Sequence, residues 1–340
     1  MIGFRIDANE KVATGHMFRC ISIAKKLAAL GEECIFFTCE TSDAVAVTHA
    51  GFRLIRLPLS WNDWDENVDL LKGECARRGV RTLVVDSYYA TENFFKSLSD
   101  TVAVFYLDDI CEKAYPVHSV LHYSEWDGDD VIEKLYAGTG TRVYSGMKYV
   151  PLREGFGREG AHDEYDVLVT TGGSDAYHIS LLLARKFMGE EWRDKRICMV
   201  LGKMNNDADE ISRIAAEHRN MTVLRNISNM DEIISESHFA VCAGGISVYE
   251  MMAGGTPFTC FAFSDDQKIF GERLSEHGHC TYAGDARDDA NAVVENVSNN
   301  LRALFSMSDA ERQVLIDKNK NTADGNGAER IAELIIGINR

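Results

Sequence analysis

Short runs of β-branched and aromatic residues alternate with stretches of helical apolar spacing from one end of the chain to the other, and this alternation limits the possible folds more than any single motif does. A chain that repeatedly follows a strand with a helix lays its strands parallel and covers the sheet with the helices, so the class is α/β. In the first half the predicted strands are "IGFRI", "CIFF", "FRLIRLP", "TLVVDS", "VAVFYLDD" and "SVLHY". Between the first two, "MFRCISIAKKLAALG" repeats apolar residues at helical spacing and stops at Gly31, a residue suited to a left-handed cap.

The polar stretch "REGFGREGAHDEY" has neither strand nor helix character and reads as a linker. After it the rhythm resumes with "DVLVTTGG", "ICMVLG", "MTVLRN", "FAVCAGG" and "PFTCFAF". At 340 residues the chain exceeds one core, and two α/β domains are predicted, residues 1–155 and 156–340. The closing helix "GAERIAELIIGI" can pack on either one.

Acidic residues outnumber basic ones 53 to 36, a formal charge of −17 spread along the chain, which argues against nucleic acid or an anionic membrane surface as partner. The nine cysteines are scattered without zinc-like spacing and read as reduced core thiols, so a cytoplasmic protein is expected. No signal-peptide pattern or membrane-length apolar run is present. A monomer is the working expectation.

Open parallel sheets bind ligands beyond the carboxyl ends of their strands, so the residues after each strand carry the search. "TTGGSD" places Gly172, Gly173 and Ser174 between a strand and a helix expected to start near Ala176, a turn able to lower a phosphate onto backbone amides. "CAGGISVYEMMAGG" is a stronger signal. Gly244, Gly245 and Ser247 precede a helix whose unpaired N–H groups and positive dipole end would face a diphosphate. Glu250, one turn further in, is then placed for a ribose diol, or is simply a first-turn acid. Asp265, Asp266 and Gln267 follow another strand, where helix capping and sugar contact are equally open.

In "RIDANEKVATGHMFRC" the chain leaves its first strand, passes Thr14 and Gly15, and sets His16 at a helix start. The helix dipole disfavours an imidazolium there, which suits a neutral ring able to take a proton. Asp86 and Tyr88 in "VVDSYY", and Asp108 and Asp109 in "YLDD", end strands of the same sheet and would crowd the same edge. An acid beside His16 would orient its ring, although each acid taken singly also fits a cap or a turn. No GxSxG, HExxH or Walker pattern occurs, and the turn after the first strand lacks GxGxxG, which disfavours a dinucleotide site.

The succession "RIDA", "GHMFRC", "VVDSYY", "LDD", "GMKYVPLR", "VTTGGSD", "AGGISVYEMMAGGTP" and "DDQ" resembles the UDP-2,4-diacetamido-2,4,6-trideoxy-β-L-altropyranose hydrolase family of pseudaminic acid biosynthesis. Spore coat polysaccharide biosynthesis proteins are similar too. The resemblance implies two Rossmann-like domains in a GT-B arrangement with an interdomain cleft, UDP held mostly by the C-terminal domain and no metal or cofactor. It implies His16 as the base that activates water for inverting attack on the anomeric carbon, with Tyr88 and Asp266 as further catalytic residues. Gly15, Arg19, Asp7, Asp86 and Asp109 on one side, and Gly172, Gly173, Ser174, Gly244, Gly245, Ser247, Glu250 and Gln267 on the other, are implied as substrate-binding. The chain departs from the family at Ser87, where a histidine is common, and at Asp266 and near His122, where an asparagine is common. The expected function is a nucleotide-sugar hydrolase. The alternatives are a GT-B glycosyltransferase using a UDP-sugar donor and a noncatalytic nucleotide-sugar binding protein.

Overall fold

A computed structural model describes residues 1–9, 15–124, 129–157, 160 and 162–338. The chain divides into two compact units, one of residues 1–154 with the segment from Asn326 onward, the other of Gly155–Gly325.

Unit 1 alternates β1 (Ile2–Arg5), α1 (Gly15–Ala29), β2 (Cys34–Cys39), α2 (Val45–His49), β3 (Arg53–Leu57), α3 (Val68–Arg78), β4 (Thr82–Asp86), α4 (Glu92–Leu98), β5 (Ala103–Leu107), β6 (Ser119–His122), α5 (Val131–Leu135) and β7 (Arg142–Ser145). Among the described residues its seven strands pair in parallel in the order β3-β2-β1-β4-β5-β6-β7. β1 is buried on both faces, which is why it reads as a continuous apolar run rather than an alternating one. Phe4 stacks on Phe36 of β2 at 4.7 Å between ring centroids, and Gly3 is required because a Cβ there would stand 2.9 Å from Leu83 Cδ1. Helix α1 lays Met17, Cys20, Ile21, Ala24 and Leu27 on the sheet. It ends where Gly31 adopts φ +87° and Glu32 N–H returns to the Leu27 carbonyl, satisfying an orphan acceptor of the last turn.

Unit 2 repeats the plan with β8 (Tyr165–Thr170), α6 (Ile179–Lys186), β9 (Ile197–Leu201), α7 (Ala208–Glu217), β10 (Met221–Arg225), α8 (Met230–Ser235), β11 (Ser237–Ala243), α9 (Ile246–Gly254), β12 (Phe258–Ala262), α10 (Asp265–Glu276), β13 (Thr281–Asp285), α11 (Ala286–Phe305) and α12 (Asp309–Thr322). Its six described strands run β10-β9-β8-β11-β12-β13. Val167, Val169, Met199, Phe239, Val241 and Phe261 form the centre of its core.

In both sheets the strand order reverses once, between β1 and β4 and between β8 and β11. At such a switch point neighbouring loops diverge to opposite faces and leave a crevice at the carboxyl edge. Two strands, β7 and β13, were not expected from the sequence. Both lie at a sheet edge and both are largely part-exposed, so neither needs an apolar run. Helix α6 starts at Ile179 rather than near Ala176, because the Asp175 carboxylate caps it by accepting Ile179 N–H at 2.9 Å and Ser180 N–H at 2.7 Å.

The last helix, α13 (Gly327–Ile338), packs on α1 and buries Ile331, Ala332 and Ile335. Gly327 lets the start of α13 come close to the backbone at Val150, since a Cβ there would fall 2.1 Å from the Val150 carbonyl oxygen. Replacing the fully buried Ile331 with alanine is expected to cost about 2–5 kcal/mol. Hydrogen–deuterium exchange should show the loss as faster exchange in α1, with the unit 2 strands unchanged.

Candidate active site

The carboxyl edge of the unit 1 sheet carries a buried charge cluster at the β1/β4 switch point. His16, the second residue of α1, is 6% exposed, and Asp86, the last residue of β4, is 1% exposed. The His16 Nδ1 lies 2.5 Å from Asp86 Oδ1. A carboxylate has no proton to give, so Nδ1–H donates, and in the neutral ring the lone pair is then on Nε2. Arg19, one turn along α1, donates Nε–H to Asp86 Oδ2 at 2.5 Å and a second bond from Nη2 to Oδ1, a bidentate grip. Its Nη2 also stands 3.0 Å from His16 Nδ1. Since Nη2 is a donor as well, that contact is a close approach, and the bond goes to the carboxylate. The remaining nitrogen, Nη1, donates to Asp109 Oδ2 at 2.6 Å and to the Tyr123 hydroxyl at 2.5 Å.

The sequence resemblance implied a substrate ligand; within the protein each guanidinium nitrogen donates at least one hydrogen bond, so Arg19 also organises the site. Taking a guanidinium out of water costs several kcal/mol, and the two carboxylates offset it. Burial alone would lower the Arg19 pKa, yet Asp109, Asp86 and Tyr123 raise it well above its ordinary value. Burial alone would raise the Asp86 pKa, yet Arg19 and His16 hold its carboxyl well below the usual carboxylate range. Two carboxylates facing one guanidinium leave the cluster one negative charge in excess, and that charge can stabilise a proton arriving on His16.

Tyr88 sets its ring edge-on to the His16 ring at 4.6 Å between centroids and is 52% exposed, so the tyrosine forms the solvent side of the histidine. Gly15 opens α1 with free space where a Cβ would stand, while Thr14 lies outside the described residues. Asp7 Oδ2 pairs with Arg5 Nη1 at 2.5 Å and its Oδ1 accepts Cys39 N–H at 2.8 Å, so both oxygens serve the fold. Asp108 turns the chain after β5 by accepting Ile110 and Cys111 N–H on Oδ1. Burial pushes its carboxyl up, and Oδ2 has no hydrogen-bond partner among the described residues. His122 donates Nδ1–H to the Asp108 carbonyl at 2.7 Å, which ties the end of β6 to the turn after β5. Cys20 lies 3.5 Å from Asp86 Oδ2, and burial followed by the Asp86 charge pushes its thiol well up, away from nucleophile chemistry.

On unit 2, three turns follow β8, β11 and β12. Gly172 adopts φ +82°, and Gly173 accepts Met204 N–H at 3.0 Å. Gly202 makes this approach possible, because a Cβ on it would meet the Gly172 carbonyl at 2.2 Å. Ser174 is exposed on the same turn. Gly244 N–H donates to Phe261 O and Gly245 N–H to Ala243 O, each at 2.8 Å. These two amides are therefore used internally. The first amides of α9, those of Ile246 and Ser247, have no intrahelical acceptor and become the available donors.

Gln267 accepts Phe263 N–H at 3.2 Å, and its Nε2 points toward Gly245, 3.8 Å from where a Cβ would stand. The β11–α9 and β12–α10 turns thus meet through Gln267. Glu250 is buried one turn into α9. Asp265 is drawn to Arg287 at 2.6 Å, whereas Asp266 is exposed in the first turn of α10. A polar cavity of about 200 Å³ beyond β9 and β10, lined by Gly202, Lys203, Asn205, Arg225 and Asn226 among others, has no counterpart in the sequence reading. Asn226, with φ +52°, is the local signal that marks it. Among the described residues no group of three or more His, Cys, Asp or Glu is placed to hold a metal ion, and no helix is long and apolar enough to cross a membrane.

Removing Asp86 leaves Arg19 buried against one carboxylate, so Asp86→Ala should lose about 3–5 kcal/mol of stability at pH 7. Because the folded-state pKa of Asp86 is depressed, its contribution is complete above the unfolded value of about 3.9 and is lost as pH falls below it. Urea midpoints of wild type and variant should therefore differ most at neutral pH, with the gap narrowing progressively as pH falls below about 4 toward the depressed folded-state value.

No protein-family model matches the chain. Over 286 residues it is 20% identical to the UDP-2,4-diacetamido-2,4,6-trideoxy-beta-L-altropyranose hydrolase of Campylobacter jejuni, covering 81% of this chain and 96% of that protein. It is 24% identical over 157 residues to the spore coat polysaccharide biosynthesis protein SpsG of Bacillus subtilis, 44% of this chain and 46% of that one. An uncharacterised protein of Methanocaldococcus jannaschii is 21% identical over 74% of this chain and 53% of its own length. The chain thus spans about half the length of the last two relatives. Among solved structures, MurG of Acinetobacter baumannii superposes with a TM-score of 0.69 at 12% identity, covering 99% of each chain. Arabidopsis thaliana UGT89C1 complexed with UDP does so at 0.68 and 11%, covering 98% of this chain and 99% of that one. The chain is a distant relative of the UDP-diacetamido-trideoxy-altropyranose hydrolase and of SpsG, with the fold of the GT-B glycosyltransferases.

Proposed function

We propose that this protein is a nucleotide-sugar hydrolase that splits a UDP-linked diacetamido-trideoxy sugar, or a related N-acetylated one, into free sugar and UDP. The observation that carries the reading is the Asp86–His16 bond at 2.5 Å, which puts the lone pair of the neutral ring on Nε2.

In this reading a water held at Nε2 attacks the anomeric carbon from the side opposite UDP. The C–O bond to the β-phosphate breaks as the new one forms, so the configuration inverts. The water proton passes to Nε2, and the excess negative charge of Asp86 and Asp109 over Arg19 stabilises the imidazolium. UDP leaves with its charge facing the Ile246 and Ser247 amides and the positive end of α9, so the reading requires no metal. Glu250 is assigned to the ribose, and Gly172, Gly173, Ser174 and Gln267 to the nucleotide side. Tyr88 closes His16 from bulk solvent, and Asp266 takes the water-placing role implied by the family resemblance.

A second reading is a glycosyltransferase in which His16 deprotonates an acceptor hydroxyl, and the glycosyltransferase folds of the structural neighbours favour it. Incubation with UDP-N-acetylated and UDP-diacetamido sugars, with no acceptor present, separates the two. Hydrolysis predicts UDP release and a free sugar whose first-formed anomer, followed by NMR, is inverted. Release only on addition of an acceptor would overturn hydrolysis and support the transferase.

His16→Ala and His16→Asn are each expected to lower turnover by at least about 10²–10⁴-fold. UDP affinity measured by calorimetry should stay near the wild-type value. A variant that kept most of its rate would remove His16 from the mechanism.

A further inference from the structure

One segment of unit 1 is fixed more firmly than a surface loop requires. Residues 58–67, "PLSWNDWDEN", leave β3 at the edge of the sheet and cross its carboxyl end as far as β4. Arg5, at the end of β1, donates Nη2–H to the Ser60 carbonyl at 3.1 Å and lays its guanidinium over the Trp64 ring at 4.2 Å. Trp64 is buried, and its indole N–H holds the Trp61 carbonyl at 3.0 Å. Asn67 closes the loop on the Pro58 carbonyl at 2.9 Å, and the Thr91 hydroxyl, just after β4, donates to Asp65 at 2.5 Å. The buried Arg5–Asp7 pair therefore has a purpose: it anchors this loop beside the His16 cluster.

What the anchoring presents is aromatic. The Trp61 ring meets the Tyr89 ring edge-on, 5.4 Å between centroids and 84° between planes, forming an apolar corner. Trp61 is half-buried and Tyr89 part-exposed, and Tyr89 N–H is held by Ser87 Oγ at 3.0 Å. Tyr89 follows directly on Tyr88, whose ring touches His16. The corner therefore lies one residue along the chain from the ring that packs on His16. Two rings at this angle offer far less surface than the roughly 800 Å² per partner of a stable protein interface, but they match one pyranose. The C–H bonds on one face of a pyranose carry partial positive charge and meet the negative face of an aromatic ring.

We propose that Trp61 and Tyr89 form the sugar wall of the site, taking the C–H face of the sugar carried by the nucleotide and setting which sugars reach His16. The proposal rests on the nucleotide-sugar reading given above. It gives the Ser87 position a role as well, since that hydroxyl fixes the Tyr89 backbone.

The test measures affinity for UDP-N-acetylglucosamine and for UDP by calorimetry, in a His16→Gln background so that nothing is consumed. Trp61→Ala and Tyr89→Ala should each weaken the sugar nucleotide by about tenfold and leave UDP unchanged. Trp61→Phe should recover most of the loss, which a merely structural role for Trp61 would not explain. Equal weakening of both ligands, or weakening of neither, overturns the wall while leaving the nucleotide-sugar reading in place. If the parent protein binds neither ligand, the nucleotide-sugar reading itself is refuted, and the wall with it.

Discussion

The guanidinium of Arg19, buried between Asp86 and Asp109, is the interaction on which the unit 1 site depends. A buried cation must be surrounded, and here the surrounding groups are the ones that act. Asp86 is held ionised by Arg19 and, being ionised, fixes the His16 ring through Nδ1. Asp109 and the Tyr123 hydroxyl close the other side of the guanidinium. Arg19 alone would be too costly to bury, and Asp86 alone would tend to protonate there. Together they make a rigid, net-negative support for a ring that must gain a proton.

The topology brings these groups together without long loops. His16 enters from the β1–α1 connection, Asp86 from the end of β4 and Asp109 from just beyond β5, and β1, β4 and β5 are consecutive in the sheet. The same device appears a second time on that edge. Arg5 and Asp7, also buried and paired, hold the loop that carries Trp61. One buried arginine–aspartate pair positions the candidate base, and the other positions the aromatic corner beside it. Unit 2 uses backbone rather than charge, with Gly202 and Gly244 letting neighbouring turns approach closely and Gly172 taking a left-handed φ.

Much of this was legible in the sequence. The alternation of apolar runs gave the α/β class, and the rule that ligands gather at carboxyl ends picked out His16, Asp86, Tyr88 and Asp109, which the structure brings to one edge. What the sequence left hidden is pairing. Nothing local shows that Arg5 and Cys39 bond to Asp7, or that Asp86, Asp109 and Tyr123 bond to Arg19. Asp86 is 70 residues from His16, so its bond to Nδ1 has no periodic signature. Strands β7 and β13 were missed because edge strands can be polar, and the α6 start was misplaced because Asp175, three residues beyond Gly172, supplies the cap. Tyr123 and Trp61 carry no motif at all, and burial and ring geometry alone give them meaning.

The central claim is that Asp86 fixes the tautomer of His16 so that Nε2 is left as the acceptor. Nitrogen-15 NMR of labelled protein reads that directly, since the protonated and lone-pair nitrogens of a neutral imidazole resonate far apart. The account predicts the proton of the neutral ring on Nδ1, and its transfer to Nε2 when Asp86 is replaced by asparagine turned to offer its amide N–H. A wild-type ring protonated on Nε2 and bare on Nδ1 would contradict it.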